Sequence, residues 1–340
     1  MIEVKNRYWN ILYAQILLFF LNSCTPDYDL IENLDESSQI PVSFSLVNVE
    51  KNQFKAKKQS NDIILSQDTS LIVLSMEEEE WKDRTFLQTK ASWTPTGNQV
   101  SWTTGDSIGV YMRSAVEGTT YFDRNNVRYN IATGGSSSGN LVATSNPLNF
   151  PDRVTDAQFF AYYPYSASAG NSLIINYALP TNQTAPSGIS AADLMSSNVP
   201  ITNGSSPTVG LNFSHRMVLL SFRINATLSL LIPPTLTQVT VSGQNVTNTG
   251  TLNLSTGVVT PNTTSTTINV TTSQVVNFGS YAYVDVIINP TIIANNSDMS
   301  KLKVTLYFAG LLSHSTSLVT SGTFVGGTRY VYNLSVVLSL

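Results

Sequence analysis

Apolar and polar residues alternate along much of this chain with a period of two, the spacing that sends successive side chains to opposite faces of a strand. In residues 42–49, Val42, Phe44 and Leu46 fall on one side and Ser43 and Ser45 on the other, which predicts the first strand. Leu71–Met76 is a second apolar run, and the charged stretch after it (Glu77–Glu80, then Trp81-Lys82-Asp83-Arg84) reads as a solvated loop or a short helix. Residues 100–112 (VSWTTGDSIGVYM) predict two short strands around a turn at Gly105-Asp106, with Trp102, Ile108 and Val110 as core candidates. The cleanest alternation comes later, where Val218, Leu220, Phe222 and Ile224 oppose Ser221 and Arg223. Further strands are predicted at 236–242, 250–254, 267–270, 281–288, 301–308 and 329–338, with Leu302, Val304, Leu306 and Phe308 inward in the fifth of these. No stretch past the first two dozen residues has a helical period of any length. Sheets with one apolar face each need a second sheet to cover it, so the pattern predicts an all-β fold of two tandem β-sandwiches. The Asn203–Pro207 loop divides them into an N-terminal domain, 41–207, and a C-terminal domain, 208–340.

Composition narrows the class. Only 12% of residues are charged while 42% are hydrophobic, and Ser, Thr and Asn carry the polarity, as in secreted β-proteins. The formal net charge of −4 provides no basic face to release counterions from phosphates, which excludes nucleic acid as a partner. With a single cysteine no intrachain disulfide can form, so stability must come from the cores.

That one cysteine, Cys24, ends a recognisable leader. Lys5 and Arg7 precede an apolar run, Ile11–Leu21, of about 11 residues broken by Gln15. A membrane-spanning helix needs roughly 20, so the run suits a signal-peptide core. Leu21-Asn22-Ser23-Cys24 resembles a bacterial lipobox, with Asn22 departing from the usual small or apolar residue. Residues 1–23 are therefore expected to be a lipoprotein signal peptide, Cys24 to carry lipid such as palmitate, and 24–40 to be an acidic tether. Asp27, Asp29 and Glu32 in the tether resemble the acidic export signals of surface lipoproteins in some gram-negative bacteria, and a solvated linker explains them equally well.

Candidate chemistry is sparse. Gly135-Ser136-Ser137-Ser138-Gly139 matches the nucleophile-elbow spelling but lacks the strand-to-helix setting that exposes such a serine, and reads as a Gly/Ser hairpin tip. The only histidines are His215, read as a hydrogen-bonded structural residue, and His314, read as a loop residue. With no Cys/His cluster, phosphate loop or dinucleotide fingerprint, the expectation is no catalytic residue, no metal and no cofactor. Phe159, Phe160, Tyr162, Tyr163 and Tyr165 could stack on sugars, although at strand spacing half of them belong to the core.

Four blocks in succession are more specific than any one of them: residues 89–112, Ala157–Tyr165, Asp193-Leu194-Met195, and Leu211–Ile224. Their order and spacing behind a lipobox resemble the fimbrillin family, two-domain subunits of type V pili and related surface lipoproteins. The resemblance implies transthyretin-like Greek-key sandwiches, a lipid-anchored location at the cell outer membrane, other fimbrial subunits as partners and a host or bacterial surface receptor. It also implies that a protease cuts the precursor after a basic residue, here Arg84 or Lys90, releasing the first strand (Val42, Phe44, Leu46) so that a neighbour's strand can replace it. Tyr332, Leu334, Val336 and Leu338 would be either the donor strand or the closing strand of their own sandwich, with the intrachain role preferred. The alternative function is a glycan-binding surface lipoprotein with exposed aromatic residues near its loop tips.

Overall fold

The computed structural model describes residues 39–46, 57–59, 71–80, 102–115, 123–132, 141–184, 187–228, 233–293, 302–310, 313–318 and 322–337. The architecture is all-β. Its first strands are β1 (Ile40–Pro41), β2 (Ser43–Leu46), β3 (Lys57–Gln59), β4 (Leu71–Glu80), β5 (Ser107–Ser114), β6 (Arg124–Ile131), β7 (Leu141–Ala143) and β8 (Asn149–Phe150). Next come β9 (Asp156–Tyr163), β10 (Ile174–Ala178), β11 (Met195–Asn203), β12 (Thr208–Leu211), β13 (Ser214–His215), β14 (Val218–Ala226), β15 (Thr235–Ser242) and β16 (Thr249–Asn253). The last are β17 (Val259–Pro261), β18 (Thr267–Val275), β19 (Ala282–Ile288), β20 (Thr291–Ile293), β21 (Lys303–Phe308), β22 (His314–Ser317), β23 (Gly322–Phe324) and β24 (Thr328–Val336). A short helix, α1 (Ser187–Ala192), is the only α-helix among the described residues.

The N-terminal sandwich sets a six-stranded sheet, ordered β13-β11-β9-β5-β6-β7, against two short pairs, β1–β8 and β2–β12. The C-terminal sandwich sets a five-stranded sheet, β19-β14-β24-β4-β3, against a four-stranded one, β18-β15-β21-β22. Leu302, Val304, Leu306 and Phe308 all join the C-terminal core, as their alternation requires. A third sheet, β10-β16-β17, crosses between the two, and with it a third apolar core built from both halves, including Tyr111, Tyr162, Met217, Leu219, Leu252 and Ile287.

That junction core explains where side-chain alternation breaks down. In β9, Phe159, Ala161 and Tyr163 enter the N-terminal core while Phe160 and Tyr162 enter the junction core, so the strand is buried on both faces. The aromatic run at 159–163 is therefore core throughout, against the expectation of half, and only Tyr165 beyond it is partly exposed. β14 behaves alike: Val218, Leu220, Phe222 and Ile224 face the C-terminal core and Leu219 faces the junction.

Other departures have local causes. Glu77–Glu80 is neither loop nor helix but the second half of β4. The register sets Lys58 opposite Glu77 and Lys57 opposite Glu78, the order of charges that favours cross-strand neighbours near a sheet edge. Around the Gly105 turn, where φ is +90°, one strand follows, whereas Trp102 before it lies outside any strand yet is buried. His314 opens β22 and meets the Phe308 ring edge-on at 5.8 Å. Most consequential, β4 lies upstream of every strand in the six-stranded sheet yet pairs with β24, so residues 71–80 belong to the C-terminal sheet and the dividing line at 207 does not hold for them.

Candidate functional site

The predicted first strand lies against the rest of the N-terminal sandwich at two places. β1 pairs antiparallel with β8, the Val42 amide donates to the Leu148 carbonyl (2.9 Å), and the Ser43 amide donates to the Pro207 carbonyl (2.9 Å). From there β2 runs parallel to β12, Ser43–Leu46 beside Thr208–Leu211. Val42, Phe44 and Leu46 are buried, and the Phe44 ring meets Tyr129 edge-on at 5.0 Å and Phe159 at 5.5 Å. The chain thus closes an apolar face with few backbone bonds of its own, because β2 has a single partner strand.

β24 is placed differently. It runs parallel to β14 and antiparallel to β4, so strands flank it on both sides, and Tyr332, Leu334 and Val336 are wholly buried. Leu338, Cys24, Arg84 and Lys90 lie outside the described residues, as does the Gly135–Gly139 motif.

The sequence blocks at 193–195 and 211–224 meet at the junction. β13 pairs with β11, Met195 opposite His215, and the His215 Nδ1 lies 2.7 Å from Asp193 Oδ1 with both side chains buried. The next residue, Arg216, donates its amide to the Leu194 carbonyl (2.8 Å) and its Nε to Ser196 Oγ (2.7 Å). Its guanidinium lies over Gly257, whose φ of +72° and missing Cβ make the room, and burial holds its pKa below the usual arginine value. Met217 then enters the junction core. His215 is a buried, hydrogen-bonded residue, as expected, but its partner was not legible. Nothing in residues 193 and 215 alone announces that two strands will bring them together.

Sequence reasoning also missed how one sheet edge is closed. Gln183 donates Nε2 to the Ile287 carbonyl and accepts the Ile287 amide, each at 2.7 Å. Gln274 does the same for Tyr283, at 2.7 and 2.9 Å. These side chains occupy outward backbone groups of β19, the outer strand of the five-stranded sheet. Near that end, Phe278, Tyr281 and Tyr283 are exposed, the two tyrosine rings 6.2 Å apart. Among the described residues no cluster of three or more His, Cys, Asp or Glu could hold a metal.

The sequence model described as fimbrillin-like matches residues 89–338. A protein of Bacteroides uniformis named as a fimbrium subunit, Fim1C, is 25% identical over 244 residues, covering 69% of this chain and 74% of that one. A fimbrium tip subunit of the same name from Bacteroides ovatus is 29% identical over 145 residues, 39% of this chain and 26% of that protein. The crystal structure of a protein described as a cell adhesion protein from Bacteroides uniformis superposes with a TM-score of 0.52 at 23% identity, covering 72% of this chain and 94% of that one. At that identity the likeness is one of fold.

Proposed function

The chain belongs to the fimbrillin-like family, and we propose that it is a subunit of a cell-surface fimbria, exported as a lipoprotein through Cys24 and joined to its neighbours by strand complementation. One observation carries the reading. The family match begins at residue 89, after β1–β4, yet both sandwiches bury side chains from those upstream strands: Val42, Phe44 and Leu46 in one and Leu71 in the other. A cut after Arg84 or Lys90 separates these strands from the remainder of the chain. Departure of β1–β2 would bare backbone groups of β8 and β12 together with an apolar face, and an extended strand from a neighbour restores both. Burial of three side chains of this kind is worth roughly 6 kcal/mol, so an incoming strand must supply apolar groups at the same alternate positions. β24, held between two strands, is retained as the closing strand of its own sandwich.

Mass spectrometry of the N-terminus from intact cells and from sheared fibres tests this. A new terminus after Arg84 or Lys90 on the fibre form is expected. Finding lipidated Cys24 on every copy would overturn the complementation step. Removal of Val331–Leu340 is expected to abolish folding of the monomer. Loss of polymerisation alone would instead make that segment a donor.

The exposed rings of Phe278, Tyr281 and Tyr283 favour a second reading, a glycan-binding surface lipoprotein, since such rings offer flat faces to sugars. Glycan-array binding lost in Tyr281→Ser and Tyr283→Ser would promote it.

A further inference from the structure

We propose that the Arg153–Val154 bond is a latent cleavage site for proteases that cut after basic residues, and that the Asp152 carboxylate keeps it closed in the folded subunit. The inference rests on the reading that such a cut matures the chain, since the protease then meets the other basic residues on the surface.

Among the described residues, Arg153 alone is an exposed basic residue outside a strand. Arg124 and Arg128 are exposed but lie in β6 and pair with β5, and Lys303 in β21 pairs with β15 and β22. Arg153 lies in the 151–155 loop between β8 and β9, and Val154 after it is 79% exposed. By position and exposure this is where nicking concentrates.

The loop is nonetheless tied down at the groups a protease has to take. A protease holds its substrate extended and hydrogen-bonds the backbone on both sides of the scissile bond. Here Asp152 Oδ1 accepts the amides of Val154 (2.8 Å) and Thr155 (2.6 Å), and Oδ2 accepts the Thr155 hydroxyl (2.7 Å). The carboxylate curls the two residues after Arg153 back toward the residue before it, and both of their amides are withheld. Gly204, between β11 and β12, holds the loop from the other side. A Cβ there would overlap the Asp152 carbonyl and press on the Arg153 Cα. Gly204 has no left-handed φ to require glycine, so its missing side chain serves this close approach.

A cut at this bond would divide the six-stranded sheet between β5 and β9, which pair from Gly109 to Ser114. The loop must open before it can be cut, so the cleavage rate follows the population of the open form. Three hydrogen bonds to one side chain hold that population down.

The test digests the full chain with limiting trypsin and follows the fragment that begins at Val154 by mass spectrometry. Wild type is expected to form this terminus slowly. Asp152→Ala should form it at least about tenfold faster with an unchanged thermal midpoint. Thr155→Val keeps the side-chain shape and loses the hydroxyl bond alone, so it should accelerate the cut by a smaller factor. It also carries the comparison if Asp152→Ala does not fold. Adding Arg153→Gln to Asp152→Ala should abolish the fragment. Equal rates in wild type and the variants, fast or slow, would overturn the proposal. So would an acceleration matched by cuts after Arg124 and Arg128 with a lowered midpoint, since global unfolding would then be the cause. Neither result depends on a cut after Arg84 or Lys90, which the N-terminus from intact cells reports separately.

Discussion

Phe44→Ala is the sharpest probe of how the leading strand is held. The ring is buried and makes two edge-to-face contacts, with Tyr129 at 77° and Phe159 at 81°. Truncating a buried phenylalanine costs about 3–5 kcal/mol, of which aromatic pairs of this geometry contribute about 0.5–1.5 each. β2 has one partner strand and can settle inward, which fills part of the cavity and puts the expected loss near about 3 kcal/mol. Trp102 reports on the same core, since it packs edge-on against Tyr163 at 5.4 Å and Phe213 at 5.3 Å. With Trp9, Trp81 and Trp93 changed to phenylalanine, urea unfolding can be followed from Trp102 alone. At a slope of about 2 kcal/mol per molar urea the midpoint should fall by about 1.5 M. Ser45→Ala, on the opposite side of the strand, should leave it within about 0.5 kcal/mol. If Phe44→Ala costs less than about 1 kcal/mol, the strand is not part of the core that Trp102 reads, and no neighbour's strand would be needed to replace it.

Three further outcomes follow from particular contacts. Gly109→Ala drives a methyl into the Tyr162 ring and the Asn126 amide, so about 3 kcal/mol or more of overpacking is expected, read as a lowered thermal midpoint or loss of soluble protein. A midpoint unchanged by that alanine would contradict the double burial of the sheet. Asp193→Ala strands buried His215 without its 2.7 Å partner and should cost about 3 kcal/mol by chemical denaturation, whereas Asp193→Asn, which keeps a hydrogen-bonding group, should cost clearly less. Equal losses would show that the cavity and not the pair matters. At alkaline pH, burial pushes the Tyr111 phenol up to about 12 and raises those of Tyr162, Tyr177 and Tyr332 as well. The folded chain then holds protons that the unfolded chain releases, so the contribution of these tyrosines is constant below about pH 10 and falls above it by about 1.4 kcal/mol per unit for each. Urea midpoints that match at pH 9 and pH 11 would refute the burial of these hydroxyls.

Legibility in the sequence tracked how many faces of a strand are buried and how far away its partner lies. Residues 302–308 were readable because one face meets the C-terminal core, and 218–224 because its second face carries polar Ser221 and Arg223 although Leu219 turns to the junction core. Phe159–Tyr163 was only half readable, because the second face is covered by the other sandwich and a two-sided strand loses its period. The Glu77–Glu80 run misled because backbone pairing with β24, and of Glu77 and Glu78 with β3, makes a strand of residues whose charge suggests a loop. The Asp193–His215 contact and the two glutamine clamps left no sequence signal, since each joins residues that only the folded topology makes neighbours.

The three candidate exchange strands differ in what their loss would cost the rest of the molecule. β24 buries Tyr330, Tyr332, Leu334 and Val336 in the middle of its sheet and hydrogen-bonds on both sides, so withdrawing it would expose roughly 6–12 kcal/mol of apolar burial and split β14 from β4. β2 lies beside a single strand, and β4 with β3 makes up the outer end of its sheet, so removal of the whole upstream segment leaves the sheets behind it continuous. A subunit that must stay folded while a strand changes hands can lose a peripheral strand and cannot lose a central one. On the proposed reading, that asymmetry makes the upstream segment the part that changes hands while the last strand stays fixed.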